Sequence, residues 1–249
     1  MREDDGLRIA TVRGAILVDP TSVGTLSDGG VEALFDPESW SARGEIEPAA
    51  AGRGGAWFIV SGARRWVLRH YRRGGFMARL SIDRYLWIGE SRVRAFAEFR
   101  LLARLSGQGL PVPRPIGARY RRSGPTYRCD LITERVQGAV PLSAELAKGP
   151  LGAPTWHAIG AALARLHAAG VDHADLNAHN LLVGRGGAVS IIDFDRGRIR
   201  AAGAWSQANL QRLRRSLEKI ARDLPAERFP ASAWRAILEA YAVARTRGD

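Results

Sequence analysis

Apolar positions along this chain come in short blocks whose period changes about halfway. Residues 56–60 (AWFIV) and 65–71 (RWVLRHY) are apolar, aromatic-rich runs separated by a Ser61-Gly62 turn, which predicts a β-hairpin. Residues 92–105 repeat apolar side chains at helical spacing (Val93, Phe96, Phe99, Leu102) and predict an amphipathic helix. The Pro111-Val112-Pro113-Arg114-Pro115 segment cannot continue that helix and returns the chain to an extended form. Residues 127–133 (YRCDLIT) predict a strand, and Pro141 and Pro150 punctuate a polar connection after it. Residues 156–168 predict a second helix with Ile159, Leu163 and Leu166 on one face, ended by Gly170. Residues 181–183 and 189–192 flank the Gly184–Gly187 stretch and predict a second hairpin, and residues 209–224 and 232–244 are helical in pattern. The order predicts an α+β fold in two lobes, joined near residues 134–140. Residues 1–50, with Pro20, Pro37 and Pro48, predict an irregular leading segment beside the first lobe.

Composition sharpens this picture only in places. With 249 residues, 46% hydrophobic and 25% charged, the chain is globular and long enough for a sizeable core. Its longest stretch without a charged side chain, residues 149–164, is interrupted by Pro150 and Pro154. That falls short of the ~18–20 apolar residues of a membrane span. The acidic opening MREDDGLRIA argues against a secretory signal, and the single cysteine, Cys129, cannot form an internal disulfide, which fits a reducing compartment.

Charge is unevenly spread. The net of +12 divides into −6 over residues 1–50, +14 over 51–128 and +4 over 129–249. A block as basic as the middle one calls for an anionic partner: nucleic acid, anionic lipid headgroups or a phosphorylated substrate. No zinc-finger spacing or aromatic-basic nucleic-acid module accompanies it, and charge alone does not choose among these partners. The histidines at 167, 173 and 179 span a helix end and a loop, which does not make a zinc site.

The densest polar cluster is His173-Ala174-Asp175-Leu176-Asn177-Ala178-His179-Asn180, followed by an apolar run; thirteen residues after Asn180 comes Asp193-Phe194-Asp195. A hairpin between them brings Asn180 and Asp193 to the same end of two paired strands. A carboxylate and an amide oxygen are hard ligands suited to Mg²⁺. Asp175, in a loop five residues before Asn180, can accept a proton from a substrate hydroxyl. His173 suits bracing of the loop by hydrogen bonds better than catalysis.

The spacing H-x-D-x-x-x-x-N followed by D-F-x resembles the catalytic loop and metal motif of the protein-kinase-like superfamily. The wording H-A-D-L-N-A-H-N, I-D-F-D-R-G-R, V-L-R-H-Y-R-R-G-G and G-R-G-G-A-W-F resembles one branch in particular, the 3-deoxy-D-manno-octulosonic acid (Kdo) kinases of Gram-negative bacteria, over roughly residues 50–220. The resemblance implies a β-rich N-lobe over residues 51–136 and a helical C-lobe over 137–249, with residues 1–50 packed on the N-lobe. It also implies phosphorylation, with ATP and Mg²⁺, of the Kdo 4-hydroxyl on a lipid A precursor, by a peripheral protein at the cytoplasmic face of the bacterial inner membrane.

In that frame Asp175 is the base, and Asn180 and Asp193 hold the metal. Gly52, Gly54 and Gly55 cover the phosphates. Arg69 stands where the strand-three lysine is expected, braced by Glu98, and the backbone of residues 131–136, with Glu134 and Val136, meets adenine. Arg64, Arg65, Arg72, Arg73, Arg79 and Arg84 attract the anionic glycolipid and membrane, and neither nucleic acid nor an obligate protein partner is implied. The departures matter: neither lysine, Lys148 or Lys219, falls in the first lobe, so arginine takes over phosphate binding. Ala174, Asn177 and Asp195 replace residues usual in protein kinases, and no A-P-E follows Asp193, which argues against a protein substrate under phosphorylation control. The alternatives are a kinase of another sugar (a core heptose or an aminoglycoside-like acceptor) or a non-catalytic basic binding module.

Overall fold

The computed structural model describes residues 6–23, 28–47, 56–72 and 83–246. By its internal contacts the chain divides into two compact units. The first is Met1–Arg104 with Arg114–Arg135, and the second is Leu105–Pro113 with Val136–Asp249.

The first unit holds β1 (Leu7–Thr11), β2 (Gly14–Val18), α1 (Pro20–Val23), α2 (Asp28–Ala33), α3 (Pro37–Ala42), β3 (Ile46–Glu47), β4 (Ala56–Ser61), β5 (Arg64–His70) and β6 (Tyr85–Leu86). It also holds most of α4 (Arg94–Gly107), then β7 (Pro115–Ser123) and β8 (Thr126–Glu134). Among the described residues these strands form one antiparallel sheet in the order β1-β2-β7-β8-β5-β4-β3, with β6 paired to β8.

Strand side chains alternate between faces, and here each face has its own cover. Trp66 and Leu68 of β5, with Ile132 opposite Leu68, join Ile16, Val31, Leu34, Phe35 and Trp40 in a buried cluster. Trp40 closes it by donating its indole N–H to the Leu34 carbonyl at 2.8 Å. Burial of side chains such as Phe35 contributes roughly 1.5–3 kcal/mol each. The odd positions, Arg69 of β5 and Tyr71 just past it, take the side on which α4 lies, where Phe96 meets the Tyr120 ring at 5.2 Å.

The leading segment is therefore not irregular. β1 and β2 are strands of the main sheet, in register Leu7↔Val18 and Val18↔Gly117, and α2 and α3 supply the core on one face. Two of the prolines that suggested irregularity sit at helix starts, Pro20 opening α1 and Pro37 opening α3 behind the Asp36 N-cap, while Pro48 lies outside the described residues. There a missing N–H costs nothing.

The second unit contains β9 (Val140–Pro141), α5 (Leu142–Lys148), α6 (Ala153–Ala168), β10 (Val171–Asp172), β11 (Leu181–Val183), β12 (Val189–Ile191), β13 (Arg198–Ile199), α7 (Trp205–Ala221) and α8 (Ala231–Thr246). The α6 and α8 backbones touch at Gly160, where a Cβ would lie 2.2 Å from the Ile237 carbonyl oxygen, so only glycine fits. The second hairpin forms as predicted, β11 against β12 in register Leu181↔Ile191, with β9 on the other edge of β11. α5 replaces part of the expected polar connection, its Leu142 and Leu146 fully buried. No helix of the described residues is long and apolar enough to cross a membrane.

Candidate active site

In the second unit the segment from His173 to Asn180 is a loop tied down almost entirely by neutral groups. His173 is fully buried. Its Nε2 lies 3.0 Å from the Ile192 carbonyl, and its Nδ1 accepts from the Asp175 backbone N–H at 3.2 Å. These partners require a neutral ring protonated at Nε2, and burial lowers the pKa of His173 in agreement. The Phe194 ring packs on the same imidazole, 4.8 Å between centroids. His173 therefore ties the loop to the Asp-Phe segment as a brace, the role expected for it.

Helix α7 holds the loop from below through residues that the apolar stripe of that helix concealed. Asn209 is buried; its Oδ1 accepts from the His173 N–H at 3.0 Å, while its Nδ2 donates to Asp172 Oδ1 and the Trp205 carbonyl. Arg212 donates to the His173 carbonyl and Ser216 Oγ accepts from the Ala178 N–H, both at 3.2 Å. Residues 209, 212 and 216 share a helical face. A buried asparagine beside Leu210 and Leu213 was the available signal.

Within the loop two asparagines fold the chain back on itself. Asn177 Oδ1 accepts from the His179 N–H, and both Asn177 Nδ2 and Asn180 Nδ2 donate to the Asp175 carbonyl, at 3.0 and 2.9 Å. His179 Nδ1 lies 2.8 Å from Ser143 Oγ. All of this restrains the Asp175 backbone while its side chain stays exposed, the arrangement a proton acceptor needs.

Asn180 precedes β11 and Asp193 follows β12 by two residues. The Ile192 N–H donates to the Asn180 carbonyl at 2.9 Å, so the hairpin brings the two residues to one end, as the sequence implied. Asp193 has φ of +63°, a left-handed conformation that costs a non-glycine residue about 1–2 kcal/mol. The donor chemistry fits Mg²⁺: Asn180 anchors its amide through Nδ2, which directs Oδ1 elsewhere, and Asp193 adds a carboxylate. Among the described residues no group of three or more His, Cys, Asp or Glu side chains forms a closed cage. A pair of oxygens that leaves positions for water and phosphate is what this cation favours.

In the first unit, Arg69 and Glu98 are brought together as expected: Arg69 Nη2 lies 2.5 Å from Glu98 Oε2. The sequence reading missed Tyr71. Its hydroxyl donates to the same carboxylate oxygen and accepts from Arg69 at 3.1 Å. Burial and the Glu98 charge push the Tyr71 phenol well above its ordinary value, so it stays protonated. Glu98 is buried while Arg69 keeps about a quarter of its side-chain surface, so the guanidinium is oriented and still reachable.

Glu134 ends β8; its N–H donates to the Arg114 carbonyl at 2.8 Å and its carboxylate pairs with Arg114 at 2.7 Å. Val136 opens the second unit's main segment. Gly52, Gly54 and Gly55 lie outside the described residues, as do Arg73 and Arg79.

Comparison with known proteins finds relatives over most of the chain. The family described as Lipopolysaccharide kinase (Kdo/WaaP) family matches residues 37–241. A 3-deoxy-D-manno-octulosonic acid kinase of Xanthomonas euvesicatoria pv. vesicatoria (strain 85-10) is 50% identical over 189 residues, covering 76% of this chain and 75% of the relative. Proteins of the same name from Stenotrophomonas maltophilia (strain K279a) and Xanthomonas campestris pv. campestris (strain B100) are each 47% identical over 208 residues, covering 83% of this chain and 81% of theirs.

Proposed function

The chain belongs to the lipopolysaccharide kinase (Kdo/WaaP) family, and from that premise we propose that it transfers the γ-phosphate of ATP to the 4-hydroxyl of Kdo on a lipid A precursor. The protein is a kinase with a kinase-like fold of two lobes, a β-rich first and a mostly helical second. The acceptor, its hydroxyl, the metal and the residue roles are our reading. The observation that carries it is the exposed Asp175 on a loop whose other polar groups are occupied in holding it still.

In the proposed reaction Asp175 orients the sugar hydroxyl and takes its proton as the oxygen attacks the γ-phosphorus. The bond to the β-phosphate oxygen breaks, and ADP leaves. Asn180 Oδ1 and the Asp193 carboxylate would hold Mg²⁺, which would supply positive charge against the negative charge of the phosphate oxygens. Arg69, oriented by Glu98 and Tyr71, takes the α- and β-phosphates through paired N–H donors in place of a lysine's point charge. Phosphate cover is assigned to Gly52, Gly54 and Gly55 on the family resemblance alone, and the backbone of Glu134 and Val136 meets adenine. We place the enzyme at the cytoplasmic face of the inner membrane as a peripheral protein, its arginines attracted to the acidic glycolipid.

The test is transfer of label from γ-labelled ATP to a Kdo-bearing lipid A precursor, with the new phosphate located by NMR. Label on the Kdo 4-position is the expected result. Label on another position or another sugar refutes the acceptor assignment, and no transfer to any sugar refutes the mechanism.

A further inference from the structure

One corner of the first unit's sheet gathers arginines that the phosphoryl-transfer chemistry leaves unused. The β1–β2 turn is Val12-Arg13, since Thr11 pairs with Gly14, and Gly14 in turn pairs with Arg121. A Cβ on Gly14 would lie 2.1 Å from the Tyr120 carbonyl oxygen, so glycine lets this turn lie flat on β7. The neighbouring β7–β8 turn is Gly124-Pro125, and β6 adds a third segment through Leu86↔Thr126, with Arg84 just before it.

Where these segments meet, Arg13, Arg84, Arg121, Arg122, Arg128 and Tyr127 line a cavity of about 200 Å³. Arg128 pairs with Asp83 at 2.7 Å and Arg122 stacks on Trp87 at 4.4 Å. Among the described residues Arg13, Arg84 and Arg121 have no carboxylate partner, so the cavity carries a formal surplus of four positive charges. It is also separate from the ion pair: Arg128 lies three residues along β8 from Leu131, the cross-strand neighbour of Arg69. That is roughly 10 Å at the usual strand rise.

The segments that meet here also carry exposed apolar side chains. The three most exposed large aliphatic side chains of the described residues are Val12 at 103%, next to Arg13 in the β1–β2 turn, Leu86 at 67%, in β6 opposite the lining residue Thr126, and Ile88 at 73%, two residues further on. Apolar tips around a cationic cavity match a bilayer surface, with aliphatic groups entering the interface while arginines meet phosphates. Single-stranded nucleic acid would instead ask for exposed stacking rings. The aromatic rings here are already occupied: Trp87 is packed against Tyr120 at 5.0 Å and under Arg122, and Tyr127 is buried against Tyr85 at 5.6 Å.

We propose that this corner is a membrane-docking site whose cavity takes the phosphate of an anionic lipid headgroup, with Val12, Leu86 and Ile88 inserting beside it. The proposal deepens the membrane part of the proposed function and rests on that part alone.

The experiment is co-sedimentation of the full chain with vesicles of phosphatidylglycerol and phosphatidylethanolamine, or of phosphatidylcholine alone. Three proteins are compared: wild type, the Arg13→Gln/Arg84→Gln/Arg121→Gln variant, and a charge-matched control, Arg185→Gln/Arg222→Gln/Arg235→Gln in the second unit. Loss of about fivefold in affinity per arginine is expected at the corner, on the order of hundredfold for three. The control is expected to lose several-fold at most. Leu86→Ser/Ile88→Ser should weaken binding to both kinds of vesicle. Transfer to a detergent-dispersed acceptor should be unchanged in Leu86→Ser/Ile88→Ser and in the second-unit control, which separates docking from catalysis. Equal losses in the corner and control variants would reduce the effect to net charge and overturn the proposal. So would wild-type binding by the corner variant, or a nucleic acid that outcompetes the anionic vesicles.

Discussion

The candidate site residues of the two units are held by opposite means. In the first, charges are fixed by countercharges: Arg69 against Glu98 with Tyr71 between them, and Asp130 between His70 at 2.6 Å and Arg119 at 2.9 Å. In the second, the exposed Asp175 is held through its own backbone N–H and carbonyl by a neutral imidazole and two asparagine side chains. The difference fits the role we propose for each charge. A phosphate-gripping arginine has to keep its charge and direction, which a buried carboxylate enforces. A carboxylate that accepts a proton is better left without a cationic partner, because a fixed cation lowers its basicity.

The first way to break this contrast is to remove the countercharge. Glu98→Gln leaves Arg69 without its partner and Tyr71 without its acceptor. The buried side of the pair makes this costly, about 2–3 kcal/mol after allowing for the partly exposed guanidinium. Urea denaturation should show that loss, together with weaker binding of Mg-ATP. Unchanged stability would mean the pair is a surface contact only.

The histidines sharpen the contrast through pH. His70 in the first unit has its pKa raised by Asp130 and Asp83, so its contribution is present below its unfolded value and fades as pH rises through the folded one. His167 in the second unit is the reverse: burial lowers it from 6.5 to about 4. Its unfolded form then takes up a proton first, and stability drains away as pH falls from about 6.5 to about 4, by up to roughly 3 kcal/mol. His173 is shifted in the same direction by burial. Hydrogen exchange followed peptide by peptide from pH 7 to 5 should show the second unit opening first. Earlier opening of the first unit would contradict this assignment of the histidines.

A smaller effect is expected at the neutral scaffold. Asn209→Ala strips His173 and Asp172 of one hydrogen bond each, and should cost about 1–3 kcal/mol. Because Asn209 touches the loop only through His173, turnover should fall while the Mg-ATP KM changes little. A larger rise in KM than fall in kcat would mean that the loop binds nucleotide directly.

How much of this was legible in the sequence depends on which interactions are local. The β4–β5 and β11–β12 hairpins are short-range pairings with clear turn residues, and they and the long helices were predicted within a few residues. The ion pair between Arg69 and Glu98 was anticipated from motif order. Strands β1 and β2 were not, because β2 finds its partner β7 a hundred residues away and the helices after it are too short to show a period. Tyr71 was hidden for a related reason: a tyrosine ending an apolar strand reads as core until the carboxylate from α4 is placed beside it.

The central claim is that Asp175 performs proton transfer and carries no structural burden. Single-turnover transfer of γ-phosphate to a Kdo-bearing acceptor by Asp175→Asn tests it, with melting temperature and Mg-ATP affinity measured on the same sample. A fall in rate on the order of 10²–10⁴ with melting and nucleotide affinity unchanged is predicted. A variant that transfers phosphate at the wild-type rate would contradict it, as would one that loses activity only because it no longer folds.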